Sequence, residues 1–150
     1  MTAAPAAGTL LSELRVGASI DAVADATAWL GDVAEAEGWP DAMRFGLELS
    51  LEEALTNVVS YGFAGVDHAP DIRVECWRMP EGRAAVRIRD NGVAFDPTVI
   101  PEPEVAASLE EAKIGGHGVQ LMRHFLESFS YERASGENRL TLVAKPAAAS

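Results

Sequence analysis

The sequence predicts an α/β two-layer sandwich of the α+β kind, with a mixed, mostly antiparallel sheet covered on one face by about three helices. The predicted order of elements is one strand, two helices, two strands, a long loop, one helix and two strands. Strands and helices that segregate in this way favour a two-layer fold over an alternating, doubly wound one. At 150 residues the chain suffices for one compact core. We expect a single domain over residues 1–150, with residues 1–8 and 146–150 frayed.

The first half of the chain is predicted from residue spacing. Residues 9–16, TLLSELRV, have strand character. A helix follows, with Ser19 as its N-cap and Gly38 as its stop signal. Its apolar stripe consists of Ile20, Val23, Ala24, Leu30 and Val33. A second helix is predicted from Asp41 to Gly62.

The second half contains two predicted strand pairs separated by an irregular segment. IRVECWRM (72–79) and AAVRIRD (84–90) are joined by PEGR, a turn sequence. Residues 92–116 contain three prolines and form a predicted long loop, which is usually functional or disordered in a compact domain. VQLMRHFLE (119–127) is predicted to be helical, and residues 128–133 and 138–144 to form a hairpin.

Charge and composition exclude several classes of function. The chain has 23 acidic and 12 basic residues, a net charge of −11, which argues against nucleic-acid binding. It has no apolar run long enough to span a membrane and no secretory signal, so we expect a cytoplasmic protein with no membrane partner. The single cysteine, Cys76, lies in a strand pattern that predicts a buried structural thiol.

Three local features carry the chemistry. In SLEEALTNVVSYG (50–62), Glu53 and Asn57 are four residues apart on one flank of an otherwise apolar helix. In RIRDNGVAFDP, a strand ends at Asp90 and turns at once through Gly92. In GGHGVQL, three glycines directly precede a helix: Gly115, Gly116 and Gly118. Taken singly, they are explained equally well as a solvated helix flank, an Asn-Gly turn and a tight glycine bend.

Taken together and in this order, the three features resemble the N, G1 and G2 boxes of the GHKL, or Bergerat-fold, ATPases. Within that superfamily, LELSLEEALTNVVSYGF, IRDNGVAFDP and GGHGVQLMRHFLESFSYERASGENRLTLV look like the small anti-sigma factor and serine-protein kinase family. The resemblance extends over residues 9–145. It departs at Tyr61, where many relatives have histidine.

The resemblance implies roles for two residues of the second helix. Asn57 matches the asparagine that binds the Mg²⁺ bridging the ATP phosphates, and its side-chain oxygen is a ligand suited to that ion. Glu53 matches the carboxylate proposed as general base, one helical turn before the metal ligand.

The resemblance also implies an adenine site. Asp90 matches the aspartate that accepts a hydrogen bond from the adenine amino group, a contact worth roughly 1.5–3 kcal/mol. Gly92 allows the backbone to pass close to the base, and Thr141 matches a threonine near the adenine. Gly115, Gly116 and Gly118 would present backbone amides to the phosphates at a helix start, and residues 93–114 would form the ATP lid.

The residue roles implied by the resemblance lead to an implied function. The resemblance implies an ATP-binding anti-sigma factor with serine-protein kinase activity that phosphorylates a STAS-type antagonist, sequesters a sigma factor and forms a homodimer. Two alternatives stay open at this point. One is a nucleotide-dependent protein-binding module without kinase activity, and the other is an interaction domain that binds no nucleotide.

Overall fold

The computed structural model describes residues 8–97 and 122–146, which contain five strands and two complete helices. In chain order these are β1 (Thr9–Val16), α1 (Ile20–Glu37), α2 (Asp41–Tyr61), β2 (Ile72–Arg78), β3 (Ala84–Asp90), β4 (Leu126–Ala134) and β5 (Glu137–Ala144). A 3₁₀ turn at Pro80–Gly82 joins β2 to β3, and residues 122–125 are helical. The predicted two-layer architecture is confirmed.

The sheet has the strand order β1-β2-β3-β5-β4. All four pairings are antiparallel, so the expectation of a mixed sheet is corrected to a fully antiparallel one. The β2–β3 and β4–β5 pairs are hairpins, which are antiparallel by construction, and β5 runs against β3 where the two hairpins meet. This meeting places the end of β3 and the start of β5 side by side.

The core lies between one face of the sheet and the two helices. Each helix contributes a buried apolar stripe, and the facing strands contribute residues at alternate positions. Fully buried members include Leu30, Leu47, Leu51, Leu55, Ile72, Val74, Val86, Ile88 and Leu142. The predicted stripe of α1 needs correction, because Ile20 and Ala24 are exposed and the buried positions are Val23, Ala26, Leu30, Gly31 and Ala34. The stripe is therefore rotated toward the side that packs on the sheet.

Helix boundaries follow the predicted capping residues. The Ser19 hydroxyl accepts a hydrogen bond from the backbone N–H of Ala22 at 3.2 Å, and Gly38 ends α1 in the left-handed conformation with φ 69°. The helix predicted over 119–127 ends earlier, at residue 125. Leu126 begins β4 instead, because it is buried in the core and paired with Ala144.

Cys76 occupies the core face of β2 and is fully buried. Burial raises the pKa of its thiol to about 12, and the nearby Glu37 carboxylate adds to the shift. The thiol is therefore protonated and inert at neutral pH, as predicted. In the ranges 8–97 and 122–146, no helix is both long and apolar enough to cross a bilayer.

We predict that Leu51→Ala destabilises the domain by roughly 2–5 kcal/mol, because it leaves a cavity at a fully buried position of α2. Urea unfolding monitored by circular dichroism measures the change. The control is Leu10→Ala, which truncates a side chain that is 47% exposed and should cost about 0.5 kcal/mol or less. Equal losses for the two variants would contradict the assignment of Leu51 to the core.

Candidate functional site

A cleft opens between the C-terminal half of α2 and the sheet. Four α2 residues spaced along one face line it, namely Ala54, Asn57, Val58 and Tyr61. They lie in the second half of α2. The helix therefore packs into the core mainly with its first turns and lines the cleft with its last. The segment that follows β3 encloses a further side of the cleft.

The cleft encloses a cavity of about 110 Å³. Its floor consists of residues from three adjacent strands and its remaining walls of residues after α2 and β3 and of the helical residues 122–125. These residues are Ile88, Asp90, Tyr131, Asn138 and Leu140 for the floor, and Gly62, Val93, Ala94, Phe95, Pro97 and Met122 for the walls.

Asp90 is the charged group at the bottom of the cleft and is only 5% exposed. Its Oδ1 accepts two hydrogen bonds, from the backbone N–H of Gly92 at 2.9 Å and from Nδ2 of Asn138 at 3.0 Å. Burial raises the pKa of its carboxyl group, while these bonds and the positive charge of Arg133 oppose the shift. Because both donors reach Oδ1, the other oxygen can accept a hydrogen bond from a ligand.

Gly92 is required by the backbone itself. A Cβ on this residue would lie 2.4 Å from the carbonyl oxygen of Gly62 and 3.0 Å from Oδ1 of Asp90. The next residue, Val93, donates its N–H to the same Gly62 oxygen at 2.8 Å. The glycine therefore allows the end of β3 to lie directly on the C-terminal end of α2, which closes one side of the cleft.

Asn57 and Glu53 lie one turn apart on α2, as predicted, but they differ in position. Asn57 lines the cleft with Asp90, whereas Glu53 is half-buried and is not among the residues that line the cavity. The amide of Asn57 is near enough to the Glu53 carboxylate to act on its pKa. Burial raises the pKa of Glu53, the Asn57 amide lowers it and the adjacent Glu52 raises it, with a net upward shift.

Asn138 stands where the sequence analysis expected Thr141. The register pairs Asn138 with Asp90 and pairs Thr141 with Arg87. Arg87 points away from the helices, where it binds Glu75 at 2.8 Å, and Thr141 lies on that same outer face because side chains alternate along a strand. The expectation that Thr141 lies beside Asp90 is therefore corrected, because Asn138 occupies that position. Side-chain alternation in the sequence indicates the same position, since Asn138 shares its face of the strand with Leu140 and Leu142.

Part of the predicted site lies outside the described residues. This holds for Gly115, Gly116 and Gly118, and for residues 98–114 of the predicted lid. Only its first residues, from Val93 to Pro97, are described, and four of them line the cleft. In residues 8–97 and 122–146, no group of three or more histidine, cysteine, aspartate or glutamate side chains is placed to hold a metal ion.

Comparison with known families identifies the fold. A family profile described as a histidine kinase-like ATPase domain matches residues 16–144, nearly the whole chain. This chain belongs to that family. The match confirms the resemblance drawn from the three motifs.

Individual relatives agree with this histidine kinase-like ATPase assignment. The chain is 39% identical over 134 residues to the serine/threonine-protein kinase BtrW of Bordetella bronchiseptica, an alignment that covers 89% of this chain and 93% of BtrW. It is 34% identical over 85 residues to the serine-protein kinase RsbW of Listeria monocytogenes, covering 54% of this chain and 53% of RsbW.

A solved structure supports the fold. The histidine kinase domain of the Erythrobacter litoralis EL346 blue-light-activated histidine kinase superposes with a TM-score of 0.53 at 14% identity. The superposition covers 83% of this chain and 59% of the kinase chain.

The cleft residues of this ATPase domain fit an adenine nucleotide. A buried carboxylate with one oxygen free of the Gly92 and Asn138 donors can accept the exocyclic amino group of adenine. The apolar lining, including Val58, Ile88 and Leu140, can pack against the base. The family therefore supplies the nucleotide class, and the chain supplies a matching base site.

We predict that Gly92→Ala destabilises the domain by roughly 1–3 kcal/mol, because the new methyl group collides with the Gly62 carbonyl. Denaturant unfolding measures the loss. Gly17→Ala is the matched control, since a Cβ there makes only an ordinary contact at 3.6 Å with Ala22. A Gly92→Ala protein as stable as the Gly17→Ala protein would show that the end of β3 does not pack on α2 as described.

We predict that Asp90→Asn raises the free energy of unfolding at neutral pH. Because burial raises the folded-state pKa of Asp90, its contribution favours folding below the ordinary carboxyl pKa and is lost as pH rises through the raised value. The amide avoids the cost of a buried charge and keeps an oxygen for Gly92 and Asn138.

The gain should shrink as the pH is lowered through the raised folded-state pKa and is lost below the ordinary carboxyl pKa, because the wild-type carboxyl group takes up a proton. Urea unfolding at several pH values tests this, with Asp67→Asn as a control for loss of one exposed charge. A lower unfolding free energy for Asp90→Asn at neutral pH would show that the carboxylate contributes net stability.

Proposed function

We propose that this chain is a Mg-ATP-dependent serine/threonine-protein kinase that acts as an anti-sigma regulatory factor. The observation that carries the proposal is the convergence of Asn57 of α2 and Asp90 of β3 on one cleft. The 39% identity to BtrW over almost the full length of both chains supports the kinase assignment. ATP, when bound, supplies the phosphoryl group.

Asp90 and the apolar walls would hold the adenine base. Asn57 would bind Mg²⁺ through its side-chain oxygen, with the phosphates supplying further oxygen ligands. The glycines Gly115, Gly116 and Gly118 would present backbone N–H groups to the phosphates, a way of binding anions that suits a chain of net charge −11. Residues 93–114 would form the lid.

Glu53 would act as the general base. Its carboxylate would accept the proton of a serine hydroxyl on the protein substrate, and α2 places it one turn from the proposed metal ligand Asn57. The raised pKa brings its proton affinity closer to neutral pH, which favours proton transfer in both directions. A carboxylate at the edge of the cleft, rather than inside it, can be reached by a second protein.

The proposed protein substrate is a STAS-type antagonist, and the proposed competing partner is a sigma factor. The relatives RsbW and BtrW support a kinase activity but not a particular protein substrate. The proposed partners therefore rest on the motif resemblance. We further propose that the chain acts in the cytoplasm as a single-domain homodimer. Incubating the protein with Mg-ATP and purified STAS-type antagonists should yield phosphoserine on one of them.

A second candidate function is a nucleotide-dependent binding module without kinase activity. The position of Glu53 outside the set of cavity-lining residues favours it, because a carboxylate beside the cavity has a structural use as the partner of Asn57. In that case ATP would only set the conformation that a partner protein binds.

We predict that Glu53→Ala lowers phosphotransfer by roughly 10²–10⁴-fold and leaves the Kd for Mg-ATP nearly unchanged, since general-base catalysis acts only on the chemical step. Asn57→Ala should instead weaken Mg-ATP binding itself. Single-turnover transfer and calorimetry separate the two effects.

Glu52→Ala is the matched control for this pair. It removes the same charge from the neighbouring, exposed position of α2, so both transfer and binding should persist. Transfer that survives Glu53→Ala would exclude the general-base role, whereas a wild-type protein that binds Mg-ATP but transfers no phosphate would leave the binding module as the function.

A further inference from the structure

We propose that Arg133 and Asn138 are positioning residues that set the nucleobase specificity of the cleft by holding Asp90 as a hydrogen-bond acceptor. Neither residue belongs to the three motifs, and Arg133 lies on the edge strand β4, two strands away from Asp90. The inference rests on the proposed ATP binding and adds residues that decide which base is bound.

The geometry behind this inference is a row of three side chains across three strands. In the sheet register, Asn138 of β5 is the direct partner of Asp90 on β3 and of Arg133 on β4. The three side chains share the face that carries the cleft, because Ile88, Leu140 and Tyr131 form the next row on that face and line the cavity. We call these three residues, Asp90, Asn138 and Arg133, the polar row.

Each hydrogen bond along the polar row has a fixed direction. Arg133 can only donate, and its Nη1 donates to Oδ1 of Asn138 at 2.9 Å. The Tyr131 hydroxyl donates to the same oxygen at 2.5 Å. With its oxygen occupied by two donors, Asn138 turns its Nδ2 toward Asp90, where it donates to Oδ1 at 3.0 Å. Arg133 thus fixes the amide, and the amide fixes the carboxylate.

The row also attaches the segment after β3 to the edge of the sheet. Nη1 of Arg133 donates to the Gly92 carbonyl at 3.0 Å, and Nδ2 of Asn138 donates to the Val93 carbonyl at 2.7 Å. Both Asn138 groups therefore have two partners each, and the amide has no second orientation that satisfies all of them. The backbone that gives Asp90 its other donor, Gly92, is held by the same two residues.

The consequence for specificity follows from what each base presents. Adenine offers an amino donor where guanine offers a carbonyl acceptor, so only an ionised Asp90 discriminates for adenine. The charges that bear on Asp90 are the guanidinium of Arg133, which favours the ionised form, and the carboxylate of Glu137, which opposes it. Removing Arg133 both frees the Asn138 amide and takes away the favourable charge, so discrimination should fall.

The test is the ratio of the Kd values for Mg-GTP and Mg-ATP, measured by calorimetry on the full chain. We expect wild type to prefer ATP, and Arg133→Met to reduce that preference by about tenfold, the loss expected for one charge-assisted hydrogen bond. Arg133→Lys, which keeps a donor-only cation, should restore most of the preference. Tyr131→Phe, which removes the second donor to Asn138, should reduce it by a smaller factor.

The control is Arg78→Met, which removes an arginine of β2 that is bonded to Glu37 of α1 and does not line the cleft. It should leave the ratio unchanged. Equal weakening of both nucleotides in Arg133→Met would indicate a merely structural role and overturn the inference, as would an unchanged ratio or failure of Arg133→Lys to restore it.

Failure of the proposed function would be seen differently. A wild-type protein that binds neither nucleotide removes the function and this inference together. A wild type that binds ATP and GTP equally overturns the inference and leaves nucleotide binding in place. Absence of phosphotransfer removes only the kinase half, because the ratio is a binding measurement.

Discussion

The site depends on one buried carboxylate and on the donors that stabilise it. Burying an ionised Asp90 is costly unless its oxygen atoms are hydrogen-bonded, and the donors must come from elements that are themselves rigid. Gly92 supplies one donor from the backbone just beyond β3, and Asn138 supplies the other from the adjacent strand. The first donor requires the close approach to Gly62 that only a glycine allows. The hydrogen bond from Gly92 to the carboxylate therefore also constrains where the end of α2 lies over the cleft.

Helix α2 connects this charged site to the hydrophobic core. Leu47, Leu51 and Leu55 are fully buried against the sheet, and the residues that line the cleft follow on the same helix within two turns. Packing of the first group orients the second, because a helix is rigid over this distance. Core packing thus places Asn57 relative to Asp90 without any direct contact between the two being needed. A rigid scaffold of this kind is what a site requires when its residues come from distant parts of the chain.

Local patterns predict the order of the elements and two residues of the cleft, Asn57 and Asp90, but not the partner of Asp90. The N-cap Ser19, the Gly38 stop and the bounds of β3 were predicted from local rules, and Asp90 and Asn57 from motif spacing. The motif resemblance places Thr141 beside Asp90, but side chains alternate along β5, and Thr141 lies on the opposite face. The alternation of Asn138, Leu140 and Leu142 gives that face, but the pairing of Asn138 with Arg133 depends on the sheet register, which local patterns leave open. The bulge in β4 between Leu126 and Ser128 adds a further shift that no spacing rule predicts.

The proposed base site is built on strands and the proposed phosphotransfer residues on a helix. Base recognition and phosphotransfer therefore depend on different elements. Asp90 and Asn138 lie in strands that are paired on both sides, and Arg133 lies on the edge strand β4, paired with β5. Asn57 and Glu53 lie on one flank of a helix, and Glu53 is not among the residues that line the cavity. A change at Glu53, the proposed general base, would therefore leave the polar row and the core intact, so that the proposed phosphotransfer would be lost while the nucleotide site remains. In the reverse direction, a change in the polar row alters a buried hydrogen-bond network and affects everything that the cleft binds. Nucleotide recognition is thus the more constrained property of this fold, and phosphotransfer is the property that can vary on top of it.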